Sequence, residues 1–175
     1  MRKEKCKFFS TSVEFLGYRI DAEGRHPLDS KLHAITEAPE PRNVTELRSF
    51  LGLLNYYDSF IPNLSSLLHP LNKLLQKEAP WKWTKECVVA FKEAKERLVS
   101  SQVLVHYDSN LPIVLAGDAS AYRVGAVISH VTPDGCEHPI AFASRTLSST
   151  EQNYPQVEKE ALSLIYGVKK FHCYL

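Results

Sequence analysis

The chain has almost no net charge: 21 Lys and Arg against 20 Asp and Glu leave +1 at pH 7 over 175 residues. That balance removes any bulk electrostatic case for a polyanionic partner, so contact with nucleic acid must come from local patches. No apolar run approaches the roughly 18–20 residues of a membrane helix, and the N-terminus lacks the apolar core of a signal peptide. Both absences point to an intracellular chain, cytoplasmic or nuclear, with no membrane partner. Cysteine is sparse and scattered. Cys6, Cys87, Cys136 and Cys173 form no CxxC pair, which leaves reduced structural thiols as the reading. None of the seven histidines pairs with another His or Cys at zinc-ligand spacing. There is no internal repeat and no low-complexity segment. Asn43-Val-Thr45 and Asn63-Leu-Ser65 match the glycosylation acceptor pattern, but without a secretory route they read as caps and turns.

What is present is ordinary globular material. Apolar content is 44%, and the length allows one domain or two small ones. The densest basic cluster, Arg2-Lys-Glu-Lys-Cys-Lys7, reads as a solvated end.

The first half is punctuated as a β-hairpin followed by helices. Residues 8–24 form the hairpin, with Val13-Glu-Phe-Leu-Gly-Tyr-Arg-Ile20 as strand material and Asp21-Ala-Glu-Gly24 as turn. A helix over 29–37, with Asp29 as N-cap, ends before Pro39-Glu-Pro41. Asn43 and Glu46 form a capping-box pair, and Leu47, Phe50, Leu51, Leu54 and Tyr57 make one helical stripe closed by Pro62. Leu64–Gln76 predicts a short helix bent at Pro70. Thr84 caps a helix over 85–99 that buries Val88, Phe91, Ala94 and Leu98.

Near 100–110 the period changes. Strands are predicted at 112–118, 123–131 and 137–144, the last two joined by Thr132-Pro-Asp-Gly135. A helix follows over 151–173, irregular at Pro155, with the stripe Val157, Ala161, Leu164, Val168 and Phe171. Asp118 stands at the end of the first strand. Glu158 and Glu160 each flank the helix stripe, and the helical wheel does not choose between them. Two-metal phosphodiester hydrolysis needs several carboxylates converging on hard cations, and a strand end and a facing helix can hold two of them.

Several motifs now occur in the order of a known family. They are Phe15-Leu-Gly-Tyr18; Leu47-Arg-Ser-Phe-Leu-Gly-Leu-Leu-Asn-Tyr-Tyr57 with Phe60-Ile61; Trp81 and Trp83; Asp118-Ala-Ser120; Ala141-Phe-Ala-Ser-Arg-Thr-Leu147; and Glu158-Lys-Glu-Ala-Leu162. Over residues 6–175 the chain resembles the Pol polyprotein of gypsy-type LTR retrotransposons, where reverse transcriptase joins ribonuclease H. The resemblance implies an α+β fold: a β-hairpin and helical thumb followed by a truncated RNase H-like βββα unit. It implies three parts: 1–27, the end of the palm with its primer-grip hairpin; 28–104, thumb and connection; 105–175, a partial RNase H-like domain.

The same resemblance implies roles. Asp118 and Glu160 would be catalytic and metal-binding, holding Mg²⁺ in the complete parent domain; Glu160 is chosen because the family's glutamate precedes the pair matched by Ala161-Leu162. Phe15, Leu16, Gly17 and Tyr18 would support the primer 3′ end. Arg48, Gly52 and Asn55 would lie along the template–primer duplex or RNA–DNA hybrid. Tyr57 is expected only to pack the thumb core. The remainder of the Pol polyprotein would be a partner.

The chain also departs from the family. The Tyr-x-Asp-Asp polymerase turn is absent, and the RNase H aspartates beyond the matched stretch are not in the sequence. Asp58-Ser59 replaces residues that are often basic. Arg123 replaces a usual glycine, which predicts a strained or shifted turn into the second strand. The expectation is therefore a fragment of a reverse transcriptase/RNase H, inactive alone. The alternative is a non-catalytic retroelement remnant that binds nucleic acid or protein.

Overall fold

The computed structural model describes residues 8–76, 79–100 and 103–175; the basic cluster at 2–7 and Cys6 lie outside these. The fold is mixed α and β, with two antiparallel three-stranded sheets and helices between and after them.

The first sheet is a meander of β1 (Ser12–Phe15), β2 (Tyr18–Asp21) and β3 (Arg25–Pro27). This corrects the expectation of one strand through Val13–Ile20. Leu16 and Gly17 both have positive φ, 46° and 73°, the conformation of a type I′ two-residue turn. Asp21–Gly24 makes a second turn, closed by the Asp21 carboxylate accepting from the Glu23 and Gly24 amides.

Helix α1 (Asp29–Thr36) follows, with Leu28 in the cap position, so Asp29 sits in the first turn and not at the N-cap. Its charge there still favours the positive end of the helix dipole. Helix α2 (Val44–Tyr56) is capped as the sequence predicts: Asn43 Oδ1 accepts from the Glu46 amide at 2.9 Å. The helix ends before a 3₁₀ turn at Asp58–Phe60 that precedes Pro62. The 64–76 stretch breaks at Leu68 into α3 (Leu64–Leu67) and α4 (His69–Lys73), with Pro70 in the first turn of α4, where its missing N–H costs nothing. Thr84 caps α5 (Lys85–Val99). Cys87 and Ala90 take buried positions on α5 while Val88 is only half-buried. These helices share one core with Ile35 and Leu104.

The second sheet has the order β4 (Ile113–Ala119), β5 (Arg123–Val131), β6 (Glu137–Thr146). Its β5–β6 turn is closed by Gly135 N donating to Thr132 O at 2.8 Å. Strand β4 is an edge. A 3₁₀ turn at Glu151–Asn153 leads into α6 (Gln156–Phe171), which packs across β4 and β5. Here the predicted stripe holds only at Phe171. Val157, Ala161, Leu164 and Val168 are exposed, and the buried face is Lys159, Ser163, Gly167 and Phe171. Close approach decides it: a Cβ on Gly167 would lie 3.0 Å from Ala126 and Leu115, and one on Gly117 would lie 2.5 Å from Ser163 Oγ.

The opposite face of this sheet rests on the helical body. Phe142 packs against the helical core, and the Asp58–Phe60 turn and α3 lie on β6. The Ser65 amide donates to Ser144 Oγ at 3.0 Å.

Candidate nucleic-acid interface and carboxylate site

The β1–β2 tip projects Phe15 and Leu16 into solvent, 59% and 69% exposed. Beneath it Tyr18 is stacked between Tyr56 and Phe60, at centroid distances of 5.3 and 5.8 Å, with the Arg25 guanidinium over Tyr18 and Phe60. Tyr57 OH donates to Gly17 O at 2.9 Å and Tyr56 OH donates to Leu16 O. Tyr57 is buried in the helical core as expected, but its hydroxyl does more than pack. Burial, joined by the neighbouring tyrosines, pushes the Tyr18 phenol up to about 12 and raises Tyr57 as well, so both stay protonated donors.

Arg48, Gly52 and Asn55 are all exposed on α2. Their spacing of four and three residues puts them in one line along the helix. A Cβ on Gly52 would meet nothing within 4 Å, so no internal packing explains a glycine in mid-helix. Asp58 caps this region with negative charge.

Asp118 is exposed on β4, register-paired with Gly125. Because Gly117 faces Ser163 and Leu164 of α6, strand alternation turns Asp118 to the other face. On that face Asn63 Oδ1 would lie 2.7 Å from a Cβ on Gly125. The Arg123 guanidinium donates to Asn63 O at 3.5 Å. Burial pushes Arg123 down while the Asp118 charge holds it up. The predicted strain at Arg123 is absent: its φ is not positive, and it begins β5 as ordinary strand. This bracket of Arg123, Asn63 and Gly125 carries no sequence signal, because its partners are 60 residues apart.

Glu160 is exposed in the first half of α6. Its carboxylate accepts from the Gln156 amide at 3.3 Å, and the same amide donates to Ala119 O at 2.9 Å. Glu160 is thus tied to the residue after Asp118. Both carboxylates lie towards the Ala119 end of β4. Among the described residues no third His, Cys, Asp or Glu joins them in a metal-sized group; the one such group is Asp21, Glu23 and His26 in the β2–β3 turn.

Around this end the structure is pinned by one ion pair and a lysine contact that the motif alone did not reveal. Arg145 and Glu151 form a two-bond pair at 2.8 and 2.9 Å, and the Ser148 amide adds a third bond to Glu151. Those bonds hold the Glu151 carboxyl down to about 2. The buried Lys159 reaches Ala121 O at 3.5 Å, bracing the loop after β4.

Comparison with known proteins now decides the family. The RNase H-like domain found in reverse transcriptase matches residues 83–175. The chain belongs to that family. The match opens ahead of α5 and so takes in part of the helical body. The Transposon Tf2-3 and Tf2-4 polyproteins of Schizosaccharomyces pombe are each 39% identical over all 175 residues. This chain spans 13% of the length of either polyprotein. The foamy viral protease-reverse transcriptase solved in complex with RNA/DNA hybrid superposes with TM-score 0.83 at 28% identity, over 98% of this chain and 23% of that one. Its complex with dsDNA gives 0.82 at 28% identity, over 97% of this chain and 36% of that one. The chain therefore corresponds to a reverse transcriptase/RNase H segment of a retrotransposon Pol polyprotein. RNase H-like domains generally use divalent metal. Among the described residues no helix is long and apolar enough to cross a membrane.

Proposed function

We propose that the chain handles a template–primer duplex or RNA–DNA hybrid within a retrotransposon polymerase. In this reading 1–27 ends the palm, 28–104 is thumb and connection, and 105–175 opens the RNase H domain. The observation that carries it is the exposed line of Arg48, Gly52 and Asn55, which ends near a hairpin tip presenting Phe15 and Leu16. A bare helix line with a cation at one end suits a phosphate backbone, which is bound without sequence preference and with strong salt dependence. That the similar foamy viral protease-reverse transcriptase was solved in complex with RNA/DNA hybrid and with dsDNA supports duplex handling.

The parent activities would be RNA-directed DNA synthesis and cleavage of RNA in hybrids. Asp118 and Glu160 are hard oxygen donors of the kind Mg²⁺ takes, and the Gln156 bridge favours Glu160 over Glu158. Divalent cations held by Asp118 and Glu160 would polarise the scissile phosphate and activate water. Within this chain Gln156 orients the Glu160 carboxylate and Arg123 faces Asp118. With two carboxylates and, among the described residues, no third partner beside them, we expect feeble Mg²⁺ binding and no hybrid cleavage by the chain alone.

Titrating labelled RNA–DNA hybrid into the 175-residue chain at rising salt tests the reading. Affinity should fall steeply with salt, be indifferent to sequence, and weaken on Arg48→Ala. Undetectable binding at low ionic strength would remove it. The exposed apolar side of α6 and the free edge of β4 favour a second reading, a non-catalytic remnant that binds protein. Retained pairing with a partner chain in the absence of any duplex affinity would select that one.

A further inference from the structure

The hairpin tip is held in a conformation its sequence does not favour. Leucine has no preference for positive φ, yet Leu16 sits at 46°; such a residue persists only where its surroundings over-determine it. The surroundings are two consecutive tyrosines. Tyr56 is the last residue of α2 and Tyr57 follows it. Their rings stand at 85° to one another, so their hydroxyls reach two successive carbonyls, Leu16 O and Gly17 O. Gly17 O accepts a second bond from the Leu28 amide at 3.1 Å. The link is reciprocal, since Tyr18 OH donates to Tyr56 O at 3.0 Å. Glycine is favoured at 17 by its φ of 73°, and a Cβ there would also crowd the Tyr56 ring at 3.3 Å.

We propose that Tyr56 and Tyr57 are positioning residues for the primer end: their hydroxyls lock the Leu16-Gly17 turn so that Phe15 and Leu16 meet the 3′-terminal nucleotide at a fixed place relative to α2. The proposal rests on the duplex-handling reading above. Packing alone would need only the rings. The hydroxyl bonds make the tip and the exposed line of α2 one body.

Tyr→Phe changes separate the two roles, because the stacks survive and the bonds do not. In the full chain carrying Tyr56→Phe and Tyr57→Phe together, amide hydrogen exchange at Tyr18 and Leu28 should accelerate about tenfold, the change expected from one to two net hydrogen bonds. Exchange at Leu51 and Leu54 should stay within about twofold, the scale of a substitution that leaves packing intact. Adding Leu16→Gly should restore slow exchange by relieving the turn. Unchanged exchange at Tyr18 and Leu28 would overturn the lock, whatever the chain binds.

A duplex with a photoreactive 3′-terminal thymidine analogue then tests the primer end. Wild type should cross-link at Phe15 or Leu16. The double variant should lose most of that yield while its affinity for a blunt duplex holds. Accelerated exchange with unaltered cross-linking would overturn the positioning role. Failure of the wild-type chain to bind any duplex would instead remove the reading beneath it.

Discussion

Helices α2 and α6 are both amphipathic, and they use their apolar stripes in opposite ways. On α2 the stripe Leu47, Phe50, Leu51, Leu54 is the buried face. On α6 the stripe Val157, Leu164, Val168 is left in solvent, and a small or polar face of Lys159, Ser163 and Gly167 goes down onto the sheet. The difference lies in what each helix packs against. Helix α2 meets other helices through side chains that interdigitate, so volume buries it. Helix α6 meets the sheet at Gly117 and Ala126, where backbone proximity leaves no room for bulk, while Leu162, Tyr166 and Phe171 pack on the sheet around that contact. Periodicity reports where bulk lies; on α2 the predicted stripe is the contact, and on α6 only its Phe171 is.

The sharpest way to break this comparison is one truncation on each helix. Leu54→Ala, at a fully buried position, should cost about 2–5 kcal/mol. Leu164→Ala, at 48% exposure, should cost under about 1 kcal/mol. Denaturant midpoints measure both, and equal losses would mean that the α6 stripe is buried after all.

Enlarging the small face should come next in size. Gly117→Ala places a methyl 2.5 Å from Ser163 Oγ and should destabilise by about 1–3 kcal/mol. Ser163→Gly in the same chain should recover part of that loss. A purely additive double-mutant cycle would show that the two helix–sheet backbones are not in contact there.

A smaller effect appears only in acid. The Arg145 guanidinium, then the Ser148 amide, hold Glu151 at about 2 against an ordinary 4.5. A lowered folded-state value gives stability that is present above the unfolded value and is lost as pH falls from 4.5 towards 2. Glu151→Gln should flatten stability over that window, with α2 unaffected. A pH profile identical to wild type would mean that the pair does not anchor the start of α6. The smallest effect runs in the other direction: Gly52→Ala should stabilise α2 by about 0.5–1 kcal/mol while weakening hybrid binding. Tighter binding on that change would take Gly52 out of the interface.

Much of this was legible in the residues. The Asn43 and Thr84 caps, the α2 stripe, the Thr132–Gly135 turn and the three later strands announce themselves by local chemistry. The Leu16-Gly17 turn was hidden because leucine is not a turn residue, and its conformation is enforced by Tyr56 and Tyr57, some 40 positions away. The face of α6 was hidden because glycine and serine carry no hydrophobic signal. The motif order placed Asp118 and Glu160 at one end of β4. Which face of β4 Asp118 takes depends on register, which no motif encodes.

Strand β4 carries one further consequence. Its outer edge offers backbone donors and acceptors from Ile113 to Ala119, unpaired within the sheet and ending beside Asp118. Any strand that adds there brings its own side chains to the carboxylate end in the same step. If Asp118 holds a cation as proposed, strand addition and cation binding would be coupled, so cation affinity would report on docking and docking on the cation, each raising the other by the same factor.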